Sequence, residues 1–72
     1  MATKLSDLSG YILARAQALP RPVTGAVPVI VHVTKSGRCE VSATSDVRDA
    51  LRNGWSRTNL ALTPTGVITP LP

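Results

Sequence analysis

Valine stands at positions 27, 29, 31 and 33, with Pro28, Ile30 and His32 between them. Successive side chains of a strand point to opposite faces, so this run carries one continuous valine face. The run therefore specifies a β-strand with one buried side. Lys35-Ser36-Gly37 follows, then Arg38-Cys39-Glu40-Val41-Ser42-Ala43. A two-residue loop at Ser36-Gly37 would set Val33 against Glu40 and Val31 against Ser42, mixing core and polar groups. A three-residue loop pairs Val33 with Cys39, Val31 with Val41 and Val29 with Ala43. It also puts Gly37 at the loop position that needs a positive φ. The expected element is a hairpin over 27–43 in that register, with His32 opposite Glu40 on the outer face.

The flanking segments complete the order. Leu5, Leu8, Ile12, Ala16 and Leu19 recur at steps of three and four, which predicts an amphipathic helix over 5–19. Thr3 or Ser6 is its expected cap, Asp7 suits its first turn, and Gly10 is able to delay its start to Ser9. Pro20 and Pro22 end it and open a linker over 20–26. Residues 45–53 read as a second helix, with Ser45 as N-cap and Val47, Ala50 and Leu51 as its apolar side. Asn53-Gly54 stops it, with Gly54 in the left-handed conformation. Trp55 is expected to fold back as a hydrophobic lid. Residues 59–69 look extended, interrupted by the turn Thr63-Pro64-Thr65-Gly66, and 70–72 form a Pro-bounded tail. The fold expected is a small α+β domain spanning 1–72 in the order α-β-β-α-β(β). Its sheet is mostly antiparallel, three- or four-stranded, and packed by one or two helices.

Composition narrows the function classes. Hydrophobic residues make up 43% of the 72 and charged residues 17%, a globular balance. A chain this short buries only about 60% of the surface it exposes unfolded. With one Trp, one Tyr and no Phe, its core relies on Val, Leu, Ile and Ala. Both facts favour help from a partner or a second copy. One cysteine cannot close an intramolecular disulfide, and the only early positive charge is Lys4, so the expected compartment is the cytoplasm or the interior of an assembly such as a virion. No apolar run approaches the length of a membrane span.

No motif identifies a reaction. In the favoured register His32 and Cys39 fall on opposite faces of the hairpin, so they make no Cys-His dyad. One Cys and one His are half a zinc site, and Cys39 reads as a small core hydrophobe. The glycines stand at 10, 25, 37, 54 and 66, isolated from one another, so no Gly-rich phosphate loop exists. No enzyme, cofactor, metal or small-molecule substrate is expected. The expected function is a non-catalytic protein–protein interaction or assembly module. Such a module would be a small accessory or structural subunit of the kind phages and bacteria encode as short chains. Its contacts are expected around a strand edge at Ile30, His32 and Glu40, with Leu71 in the tail, unless residues 59–69 cover that edge within the same chain. The alternative rests on the net charge of +4: a nucleic-acid-binding domain that contacts phosphates through Lys35, Arg38, Arg48, Arg52 and Arg57. It lacks an aromatic platform for stacking bases and a long recognition helix.

Overall fold

A computed structural model describes residues 9–23 and 25–71. The elements run α1 (Ser9–Gln17), β1 (Val27–Val33), β2 (Cys39–Ala43), α2 (Val47–Arg52), β3 (Ser56–Leu62) and β4 (Ile68–Pro70). This is an α+β fold in the order α-β-β-α-β-β. The four strands form one antiparallel sheet in the order β2-β1-β3-β4. β1 and β3 are therefore central, and β2 and β4 are the edges.

The hairpin register is the one the valine pattern demands. Val33 pairs with Cys39, Val31 with Val41 and Val29 with Ala43, and His32 pairs with Glu40. Val29 and Val31 are buried beneath α1, which supplies Ile12 and Ala16 to the same core, and Leu62 of β3 completes it. Each large side chain so enclosed contributes about 1.5–3 kcal/mol. Leu19, Val27, Cys39, Val41, Ala43, Leu60 and Ile68 pack around that centre. α1 closes with tightened turns, the Ala18 and Leu19 amides donating to the Arg15 and Ala16 carbonyls. Its expected cap and first turn, at Thr3, Ser6 and Asp7, lie outside the described residues, as do Leu5 and Leu8.

The second helix is capped one residue later than expected. Asp46, not Ser45, is the N-cap, and its carboxylate accepts the Asp49 N–H at 3.2 Å. The Thr44 hydroxyl accepts the Asp46 N–H and so shapes the entry turn. The helix ends in a Schellman motif: the Trp55 N–H donates to the Ala50 carbonyl and the Gly54 N–H to the Leu51 carbonyl. Gly54 takes φ +88° there, as expected of it. α2 lies against β1 and β3 on the sheet face opposite α1. Val47 and Ala50 are half-buried there, but Leu51, expected on the apolar side, is exposed. The three share one side of α2 at i, i+3 and i+4 spacing, but Leu51 borders the open groove that Pro28 and Arg57 also line, and nothing described covers it there.

β3 starts at Ser56, three residues before the expected extended stretch, and Pro70 belongs to β4 rather than to the tail. The polar run Ser56-Arg57-Thr58-Asn59 hid the strand's first half, because it has no apolar alternation. A register shift between Pro28 and Ile30 gives β3 its irregular middle. There the Thr58 hydroxyl donates to the Val29 carbonyl at 2.7 Å and accepts the Leu60 N–H at 3.1 Å. A side chain thus satisfies backbone groups that the shifted ladder would leave unpaired.

Candidate functional site

The outer face of the sheet, under and beside α2, gathers most of the candidate residues, though not in the expected way. Ile30 was expected to be exposed at an open edge. It is 3% exposed, on a central strand with β2 on one side and β3 on the other. α2 covers its face, and Ala61 is buried on the adjacent strand. Ile30 is a packing residue, and the edge expected at β1 is closed by β3. The alternation in the sequence shows that Ile30 faces away from the valines. It does not show that a second helix will lie over it.

His32 is half-buried rather than open. Its ring centroid lies 5.3 Å from that of Trp55, with the planes tilted by 33°. The Schellman turn delivers Trp55 to this point, so Trp55 folds back onto the outer face and not over the main core. A Cβ placed on Gly54 would meet His32 Nε2 at 3.7 Å, which shows how closely the turn rides on the ring. Glu40, opposite His32 on β2, is exposed. Leu71 is half-buried, and its N–H donates to the Asn59 carbonyl at 2.7 Å, extending the β3–β4 pairing past Pro70.

The five basic candidates do not converge. Arg48 and Arg57 line one open groove of about 520 Å³, together with Pro28, Ser45, Asp46, Val47 and Leu51. Arg52 is exposed on the last turn of α2. Lys35 and Arg38 sit on the β1–β2 turn, beyond Val33, whereas the groove opens at the Pro28 end of the same strand.

The chain matches no family model, no curated protein and no solved structure. Among the described residues no three His, Cys, Asp or Glu side chains cluster closely enough to hold a metal ion. No polar or charged residue is among the buried ones described, and no buried side-chain polar atom there lacks a partner. No described helix is long and apolar enough to cross a membrane. The register sets His32 and Cys39 on opposite faces of the sheet. Cys39 is half-buried against the core rather than enclosed, because its strand is an edge.

The sequence leaves two outcomes for the edge of β1, open or covered by residues 59–69, and the structure shows it covered by β3, so the open edge lies elsewhere. β2 is flanked on one side by β1 and on the other by no described strand. It carries five residues, Cys39-Glu40-Val41-Ser42-Ala43, with no proline and one charge. Sheet edges are ordinarily blunted by proline, charge or shortness. β4, the opposite edge, is blunted in two of these ways: it has three residues and ends in Pro70. The signal for the difference was present in the sequence as the proline-free run 39–43 beside the proline at 70.

Proposed function

We propose that the chain is a non-catalytic interaction or assembly module, a small accessory or structural subunit that joins a protein partner or a second copy of itself. The observation that carries this reading is the outer edge of β2, which is proline-free and which no described strand pairs. An open edge is a template for strand addition, in which backbone groups give affinity and alternate side chains give specificity. The outer face beside it, with Glu40 exposed and His32 stacked on Trp55, is the polar border of that contact. The cytoplasm or the interior of a larger particle is the setting that suits a chain with one free thiol.

The second reading, a phosphate-contacting nucleic-acid-binding domain, is favoured by the meeting of Arg48 and Arg57 in one groove. Asp46 in the same groove and the distance of Lys35 and Arg38 from it weigh against this reading. The two make opposite demands on salt. Light scattering behind size exclusion, at low and high salt after nucleic acid is removed, separates them. A mass above that of the monomer at both salts supports assembly, because pairing at a strand edge persists at high salt. A monomer that co-purifies with nucleic acid and sheds it as salt rises overturns assembly and promotes the arginines.

A further inference from the structure

The ladder between β1 and β2 fixes which backbone groups of β2 face outward. The Thr44 N–H donates to the Pro28 carbonyl, and the Thr34 N–H to the Arg38 carbonyl. The pairs Ile30–Ser42 and His32–Glu40 fall between these in the same alternation. In an antiparallel ladder the residues that alternate with hydrogen-bonded pairs point both N–H and C=O the other way. Cys39, Val41 and Ala43 therefore turn their backbone groups toward the open side. On β4 the same reasoning, from the Leu71–Asn59 and Thr63–Val67 bonds, turns Ile68 and Pro70 outward. Pro70 has no N–H, so that edge keeps a single donor.

We infer that β2 pairs with β2 of a second copy, antiparallel and centred on Val41, so that one sheet runs through both copies. This deepens the assembly reading and rests on it. The strand is self-complementary in that register and in no neighbouring one. Centred on Val41, each outward-facing residue meets another: Val41 meets Val41, and Cys39 meets Ala43. Sliding two residues either way leaves an end residue of β2 facing a loop. One of these slides also sets Glu40 against Glu40, and like charges directly opposite are destabilising. In the Val41-centred register Glu40 faces Ser42 of the second copy, and Arg38 faces Thr44. The β4 edge offers no such match, so the pairing closes as a two-fold dimer and does not propagate.

The register makes Ser42 the diagnostic position. S42E sets a carboxylate opposite Glu40 twice per dimer and is expected to weaken dimerisation roughly tenfold. S42K sets an ammonium there and is expected to tighten it a few-fold. Sedimentation of the intact chain and both variants reads the dissociation constants. Amide hydrogen exchange, followed by NMR across a dilution series, reads the site. The expected result is that the Cys39, Val41 and Ala43 amides exchange rapidly when dilute and slow in step with the dimer. The Ser42 amide, already bonded toward β1, stays protected throughout and reports that each variant is folded. Equal shifts for S42E and S42K, or a monomer at every concentration, overturn the self-pairing. A dimer whose Cys39, Val41 and Ala43 amides remain fast also overturns it, while leaving assembly through another surface standing.

Discussion

The two hairpins of this protein use the same turn and meet different fates. In the first, the Thr34 N–H donates to the Arg38 carbonyl and the Gly37 N–H to the Thr34 carbonyl. The Thr34 hydroxyl accepts the Arg38 N–H and bonds the Ser36 hydroxyl. In the second, Thr63, Thr65, Gly66 and Val67 repeat each of these bonds. Gly37 and Gly66 take φ +85° and +82°, the left-handed position of a three-residue hairpin loop. The spacing between the turns also separates Val27 from Ser56, and Cys39 from Ile68, so the strand starts correspond. What differs is the setting. The first hairpin sends out a full-length edge strand and an open tip. The second ends in a short strand stopped by Pro70, and the side chain of Arg21 lies across its tip at Gly66. A turn sequence sets local geometry; the position of the hairpin in the sheet decides what each residue is worth.

The residue just before each turn threonine gives the largest test of that statement. Val33 and Leu62 are equivalent in the hairpins, yet Val33 is 52% exposed and Leu62 is 0%. Leu62 lies between Val27 and Ile68, with a strand on either side. Val33 has only Cys39 beside it, because β3 begins opposite Val31. Leu62→Ala should cost about 2–5 kcal/mol, the range for a buried leucine that leaves a cavity. Val33→Ala should stay within about 0.5 kcal/mol. Chemical denaturation of the two variants reads both values. Similar losses would mean that the turn, and not the sheet, sets the energetics.

Much of this contrast was legible in the sequence, and the rest was not for physical reasons. The alternating valines and the polar partners in β2 fixed the first register, because a one-residue slip would turn every valine outward. Helix α1 was legible from the spacing of Ile12 and Ala16. The beginning of β3 was hidden because Ser56-Arg57-Thr58-Asn59 has no apolar alternation; its irregular middle is held by the Thr58 hydroxyl, a pairing that no local pattern announces. The burial of Ile30 was hidden because it depends on which face of the sheet a six-residue helix docks on, and the helix's own apolar side does not say which. The expected contact surface is obscured in the same way: Ile30 turns out to be a packing residue, and the edge left open among the described strands is that of β2 rather than β1. Strand order is a long-range property that no local run of residues encodes.

The turn glycines give an intermediate effect. Gly37→Ala forces an alanine into the left-handed region and should cost about 1–2 kcal/mol. A Cβ there meets nothing within 4 Å. Gly66→Ala carries the same backbone penalty, and its Cβ would meet Arg21 Nε at 2.9 Å. The guanidinium end of an arginine moves aside cheaply, so the second loss should exceed the first by only a few tenths of a kcal/mol. Repeating the pair in an Arg21→Ala background should bring the two losses together. A gap that survives without the arginine would show that the two turns differ in their own backbone.

The smallest expected effect asks whether the first turn is simply an unfinished copy of the second. Lys35 occupies the loop position that Pro64 occupies in the other hairpin. That position is the second residue of the turn, where the φ of about −65° fixed by proline is the one required. The bonds of the first turn run from the amides of Thr34, Gly37 and Arg38, and none needs the amide of residue 35. The residue before a proline is pushed toward extended backbone, and Thr34 follows β1 directly, as Thr63 follows β3 before Pro64. Lys35→Pro therefore removes freedom from the unfolded chain without removing a native bond, and should stabilise the fold by about 0.4–1 kcal/mol. Pro64→Lys should lose a comparable amount. Thermal melts of the two variants read the pair, and opposite shifts of similar size are the expected outcome. A destabilising Lys35→Pro would mean that the matching hydrogen bonds conceal a different backbone path, and that the likeness of the two turns ends at their threonines and glycines.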